Sequence, residues 1–239
     1  MPNPTELRAD LALANRILAR EGVVDAYGHV SIRRPDAPER FLLSRSRSPE
    51  LVVPADIMEF GLDGEVADKA DTRGPYLERY IHAGIYAARP DVMAVVHNHS
   101  PAVVPFTVTA TPLRPLIHVA GLMGAHVPLW DISDRFGDTN LLVANIAQGR
   151  DLAESLGKAT TVLMRGHGVT IAGTSLKEAV IAAVYVQLNA VLQMDAMRLG
   201  PVKFLSDGEV QLTRDMTMLP NVLNRVWDYL TSRADRSGL

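Results

Sequence analysis

Apolar and polar positions along this chain follow two rhythms, one helical and one of short strands. Leu7, Leu11, Ala14, Ile17 and Leu18 fall on one helical face of a segment that stops at Gly22. Asn3 is placed to cap this helix, Pro4 suits its first position, and Glu6 completes an Asn-x-x-Glu box. Strand-like pieces follow at His29–Ile32, Phe41–Leu43 and around Met58–Leu62, the last closed by the turn pair Asp63-Gly64. A helix is predicted from Pro75 to Ala88, ending before Arg89-Pro90, and then a strand over Val92–Asn98. Ser100-Pro101 reads as the cap and first position of another helix. Leu113–Asp138 is broken by Pro and Gly, and is expected to mix short strands with loops around Pro115–Val119. A helix over Gln148–Leu156 ends at Gly157, and strands are predicted at Thr160–Met164 and Val169–Ala172. A long helix spans Leu176–Leu199, with Ser175 and Glu178 as its capping box and Gly200-Pro201 at its end. Pro220–Leu230 is a last amphipathic helix. This alternation, without a repeat or an evident linker, predicts one α/β domain over residues 1–239 with helices laid on a sheet.

Composition narrows what such a domain does. With 47% apolar residues, 21% charged residues and a net charge of −3, the 239-residue chain can bury a sizeable core. It carries no electrostatic footprint for nucleic acid or an anionic membrane. No run of about 18 apolar residues is evident, so no membrane span is expected. The N-terminal Met1–Glu6 lacks a basic region leading into an apolar one, and a cytoplasmic protein is expected. There is no cysteine, so any metal must be held by histidine and carboxylate.

Candidate chemistry is concentrated in Val95-Val96-His97-Asn98-His99-Ser100 and in Met164-Arg165-Gly166-His167-Gly168. Strand side chains alternate faces, so His97 and His99 point the same way, about 6–7 Å apart along the backbone. Two imidazoles so placed can converge on one divalent ion, and His167, at the end of a second apolar run, is a plausible third ligand. Three histidines leave an open coordination position, as catalytic metals require. A His-x-His pair also occurs as ordinary surface or supporting residues, so the third histidine carries weight. Glu78 and His82, four apart in a helix, share a face. Glu78 reads either as a first-turn acid favouring the helix dipole or as part of the metal site, and His82 reads as its structural partner.

Glu78, Arg89-Pro90-Asp91, Ala94–His99 and Arg165-Gly166-His167-Gly168 taken together resemble the class II aldolase/adducin family, from Asp25 through the long helix after His167. The resemblance implies a mixed, largely antiparallel central sheet between helical layers, an α/β/α sandwich. It further implies that His97, His99 and His167 bind a divalent metal, zinc or else manganese, iron or cobalt, with Glu78 a ligand or an acid/base. A homo-oligomer, usually a cyclic tetramer with active sites at subunit interfaces, is implied as well.

Departures from the sugar-phosphate members bear on the substrate. Tyr76 and Leu77 precede Glu78 and offer no compact pair of hydroxyls for phosphate. His29 stands where the family usually has an asparagine. The loop that usually holds phosphate reads Leu43-Ser44-Arg45-Ser46-Arg47-Ser48. Arg45 and Arg47 among Ser44 and Ser46 suit planar carboxylates, which guanidinium grips bidentately, although a solvated loop, a salt bridge or a phosphate site remains open for them. This pattern is most similar to the decarboxylase branch, which acts on hydroxylated aromatic or pyridine dicarboxylates. It implies a carboxylate substrate bound through Arg45, Arg47, Ser44 and Ser46, with Glu78 and then His29 as proton donors. His118, in an apolar strand-like stretch, lines the pocket or is a satisfied near-core histidine. Tyr229 is the nearest analogue of a C-terminal tyrosine that some family members lend to a neighbouring site, although its helical position suggests packing. The alternatives are an aldolase acting on a short hydroxy-acid or sugar-phosphate, and a non-catalytic adducin-like scaffold.

Overall fold

The computed structural model describes residues 4–234, 236 and 238–239, so the expected cap at Asn3 lies outside the described residues. Helix α1 runs over Pro4–Arg20. It turns Leu7, Leu11, Ala14, Ile17 and Leu18, all buried, onto the sheet.

Seven strands follow: β1 (His29–Arg33), β2 (Arg40–Ser44), β3 (Ile57–Gly61), β4 (Ala94–Asn98), β5 (Leu129–Trp130), β6 (Thr161–Met164) and β7 (Gly168–Gly173). They form one sheet in the order β3-β2-β1-β4-β7-β6-β5. Every pairing is antiparallel except the short β5–β6 contact, so the sheet is mixed and largely antiparallel, as expected. Strand alternation gives the sheet two apolar faces. Val30, Leu42, Val96 and Ile171 face α1 and the long helix α6 (Leu176–Leu199). Phe41, Met58, Val95 and Val162 face α2 (Arg79–Ala88) and α5 (Ile146–Leu156).

The α2–α5 contact depends on two glycines. A Cβ on Gly84 would collide with the Gly149 carbonyl, and one on Gly149 would collide with the Tyr80 carbonyl. Only hydrogen side chains allow this backbone-to-backbone approach.

Several expected elements differ from those observed. The helix predicted from Pro75 starts at Arg79, because Pro75 bridges back to Arg45 and the Tyr76 hydroxyl donates to the Arg47 carbonyl. The helix expected after Ser100-Pro101 shrinks to the four-residue α3, Val104–Thr107, with Ser100 N–H bonded to Asn98 Oδ1. No strand forms at Pro115–Val119. Asn189 and Gln193 of α6 bind the backbone there instead, taking the N–H groups of Leu116 and Arg114 and donating to the carbonyls of Arg114 and Pro112. A single-turn helix, α4, covers Ser133–Phe136. Helix α7 (Asp207–Thr217) is absent from the sequence expectation, and it precedes the anticipated α8 (Pro220–Arg233). α7 buries only Val210 and Thr217, leaving little apolar face to read, although Ser206 and Glu209 form a capping box before it.

Among the described residues α6 is long and apolar enough to cross a membrane by length and composition, contrary to the expectation of no such run. In this fold it is the helix that packs along β4 and β7.

Candidate metal centre and its cleft

Register places the site. His29 on β1 is the cross-strand partner of His97 on β4, which in turn is opposite Thr170 on β7, so the three side chains form a row on the α2–α5 face. His99 lies just beyond β4. His167 sits in the β6–β7 turn, where Gly166 takes a left-handed φ of 62° and the His167 N–H bonds the Met164 carbonyl. Glu78 occupies the cap position of α2, with its Oε1 accepting the Val143 N–H at 3.1 Å. The Gly84–Gly149 approach of α2 and α5 brings that N–H within reach.

The ring nitrogens converge. His99 Nε2 is 3.0 Å from His97 Nε2 and 2.9 Å from His167 Nε2. Glu78 Oε2 lies 3.8 Å from His97 Nε2, and Oε1 lies 3.6 Å from His167 Nε2. The four ligand atoms all lie within 4.8 Å of one another. Ligands about 2.0–2.1 Å from a tetrahedral ion stand roughly 3.3 Å apart, so this spacing suits a shared cation. The protonation pattern agrees. Thr170 Oγ1 lies 3.2 Å from His97 Nδ1 and 3.3 Å from Met164 Sδ, an arrangement in which the hydroxyl can accept Nδ1–H and leave the His97 Nε2 lone pair facing its neighbours. A single proton on His99 Nε2 cannot satisfy both facing nitrogens. Burial, and after it the neighbouring His167 ring, hold His97 and His99 below the usual histidine range, so both rings stay neutral and able to coordinate.

Beside this cluster opens a cleft of about 520 Å³ lined by His29, His99, Glu78, Tyr76, Ser46 and Arg47, with Tyr27 and Leu77 on its walls. The arginine loop is more organised than a solvated segment. Asp56 accepts Arg45 Nε at 2.6 Å, Arg47 Nη1 at 2.9 Å and the Val53 N–H at 3.0 Å. Burial alone would raise the Asp56 carboxyl, but these contacts outweigh it and hold the group below the usual carboxylate range.

The anticipated residues therefore separate. His29, Ser46 and Arg47 reach the cleft with Glu78 and His99. Arg45 does not line it and acts on the loop through Asp56. Ser44 is fully buried at the end of β2, away from the lining. His118 opens a short 3-10 helix, His118–Met123, and lines a different groove with Tyr185, Met216 and Tyr229. Tyr229 is exposed and bonded to Arg233.

His82 is more than a partner of Glu78. It is completely buried, with Nε2 2.7 Å from His29 Nδ1 and Nδ1 2.6 Å from Ser31 Oγ, which meets the Tyr86 hydroxyl at 2.7 Å. Burial drives His82 down to about 3 and pushes the Tyr86 hydroxyl up. Sequence reasoning missed this chain, along with Thr170 and Asp56. The alternation of Ser31 with His29 on one strand face, and the one-turn step from His82 to Tyr86, were the available signals.

Comparison with known proteins places these residues in context. The family model described as class II aldolase and adducin N-terminal domain matches residues 9–194. Decarboxylase tropJ of Talaromyces stipitatus is 35% identical, covering 93% of this chain and 92% of that protein. The 3,4-dihydroxyphthalate decarboxylase of Arthrobacter keyseri is 31% identical, covering 90% of this chain and 86% of that protein. Human beta-adducin is 29% identical over 73% of this chain but only 24% of its own length. Among solved structures, an aldolase II superfamily protein from Pseudomonas syringae superposes with a TM-score of 0.80 at 23% identity, covering 100% of this chain and 95% of that one.

Proposed function

The chain belongs to the class II aldolase and adducin family and is an enzyme, a lyase, and on that premise we propose that it removes carbon dioxide from a hydroxylated aromatic or pyridine dicarboxylate with the help of a divalent ion. The observation that carries this reading is the convergence of three imidazoles and Glu78 beside a cleft that Arg47 enters. His97, His99 and His167 would hold the ion, with Glu78 beside them as the acid/base, and zinc stands first among manganese, iron and cobalt for a nitrogen-rich set. When bound, such an ion polarises a substrate oxygen and stabilises the negative charge left as a carbon–carbon bond breaks.

The chain's own groups supply the rest. Arg47, one guanidinium nitrogen tied to Asp56, presents its remaining donors to a carboxylate that the substrate keeps. Tyr27 and Leu77 offer flat and apolar contact for a ring. The carbon that loses carbon dioxide must gain a proton. Glu78, next to the cluster, is the first donor in this reading, and His29 across the cleft is the second. Ser46 supports the loop that carries Arg47. Arg45, Ser44 and His118 are not given substrate contacts.

Exposed apolar residues on α6 and α7, among them Leu188, Val191, Leu212 and Met216, support assembly into a homo-oligomer, which we read as a tetramer with sites at its interfaces. The same reading places the enzyme in the cytoplasm, acting on a small carboxylate and not on nucleic acid or a membrane.

Purified protein loaded with zinc or manganese and given a dihydroxyphthalate or a hydroxypyridine dicarboxylate should release carbon dioxide without an aldehyde. Release of an aldehyde from a sugar-phosphate, with no decarboxylation, would overturn the reading in favour of an aldolase.

A further inference from the structure

The buried chain His29–His82–Ser31–Tyr86 ends at the cleft on one side and inside the protein on the other. The His82 tautomer, of which there are two, decides how its hydrogen atoms are ordered. In the first, Tyr86 donates to Ser31, Ser31 donates to His82 Nδ1, and His82 Nε2–H donates to His29 Nδ1. In the second, His29 Nδ1–H donates to His82 Nε2 and His82 Nδ1–H donates to Ser31, so the Ser31 and Tyr86 hydroxyls have only each other as acceptor and one of their two hydrogens is left over. The Tyr86 hydroxyl is buried, and Ser31 Oγ is the acceptor it reaches among the described residues. A buried hydroxyl hydrogen without an acceptor is costly, so the first order prevails. Its consequence falls on the far side of the His29 ring. With Nδ1 occupied as an acceptor, the neutral imidazole must carry its hydrogen on Nε2.

We propose that His82, Ser31 and Tyr86 are positioning residues that hold His29 with an Nε2–H beside the cleft, making it a hydrogen donor toward a substrate oxygen and keeping it from becoming another metal ligand. The His29 ring lies 5.1 Å from that of His97, beside the four converging groups but not among them, and a lone pair on Nε2 would give it the means to join them. Metal coordination needs such a lone pair, and the chain removes it. The Tyr76 ring, 4.7 Å from His29, closes the other side of the imidazole. The use of the donor on a substrate rests on the carboxy-lyase reading above, whereas the tautomer does not.

The first measurement is made on the wild-type, metal-free protein with nitrogen-15-labelled histidine. Long-range proton–nitrogen correlation should show His29 with a protonated Nε2 and an acceptor Nδ1, its signals assigned by their loss in His29→Gln. The opposite tautomer overturns the proposal. The second measurement is kinetic. Ser31→Ala, which touches no substrate, should lower kcat about 10–100-fold with KM and bound zinc unchanged, and should render the His29 tautomer mixed. Tyr86→Phe should do the same more weakly. An unchanged kcat in both variants, or a loss of zinc in step with activity, overturns the positioning role. If the expected tautomer is found but no dicarboxylate is turned over, the functional reading fails and the assignment of His29 stands.

Discussion

His97 and Thr170 are directly opposed across β4 and β7, and their side chains meet at 3.2 Å. With the Thr170 hydroxyl donating onward to Met164 Sδ and accepting His97 Nδ1–H, the lone pair of His97 is turned toward the other rings. In the proposed site, a residue that touches neither ion nor substrate would thus set the electronic state of a ligand.

Thr170→Val keeps the shape of this position and removes its acceptor. The expected outcome is zinc affinity weakened about 10–100-fold with an unaltered fold, read by competition with a chromogenic chelator and by circular dichroism. His99→Ala goes further, since His99 touches both other rings, and should leave no stoichiometric metal by elemental analysis and no turnover.

Arg47 and Arg45 share Asp56 but differ in what they face. Arg47→Ala should raise KM about 10–100-fold, the loss of a charge-assisted contact, with kcat little changed. Arg45→Ala should have a smaller effect of the same kind, since Asp56 would still hold Arg47. Equal, unaltered kinetics in both variants would remove the carboxylate contact from the account.

Gly84 tests the helix contact that brings Val143 to Glu78. Gly84→Ala places a methyl group against the Gly149 backbone and should lower stability by about 1–3 kcal/mol or more, measured by urea unfolding. The weakened Glu78 contact should also appear as a lowered kcat.

Acid should destabilise the protein through its buried imidazoles. His82 titrates at about 3 in the folded chain and near 6.5 when unfolded. Between those values the unfolded chain binds a proton that the folded chain does not, so stability falls as pH drops from about 6.5 toward 3. The slope is about 1.4 kcal/mol per pH unit for this ring and zero above the window. His29 and His97, also pressed below the usual range by burial, add to the slope. Urea midpoints at about pH 7, 6 and 5 should fall in that order, and a flat series would contradict neutral burial of these rings.

Much of this was legible in the chain before its fold. The His-x-His pair and the glycine-flanked His167 carry local signals of strand end and turn, and their convergence followed from the resemblance they support. Half of the α6 capping box was visible for the same reason, since capping is local: Ser175 accepts the Glu178 N–H, while the Glu178 carboxylate bonds Thr174 and Arg214 instead of closing the box. What escaped depends on contacts between distant segments. Pro75 was read as helical because nothing nearby announces a bridge to Arg45. Short strands were expected among the loops around Pro115–Val119 because an extended backbone is the same locally whether its partner is a strand or an amide. Arg45 and Arg47 looked equivalent, and only the fold of the loop around Asp56 turns one into the cleft. The His29–His82 link joins residues 53 positions apart, beyond the reach of any periodicity.

The amides of Asn189 and Gln193 grip main-chain groups, and this distributes tolerance to substitution unevenly. Where recognition passes through peptide groups, the side chains of the gripped residues are released from it, so Arg114 and Leu116 can drift without loosening the clasp. Exchange of either amide for an aliphatic group would strand two peptide groups at a stroke. The burden of specifying an irregular stretch in the middle of the polypeptide thus rests on two positions more than seventy residues downstream.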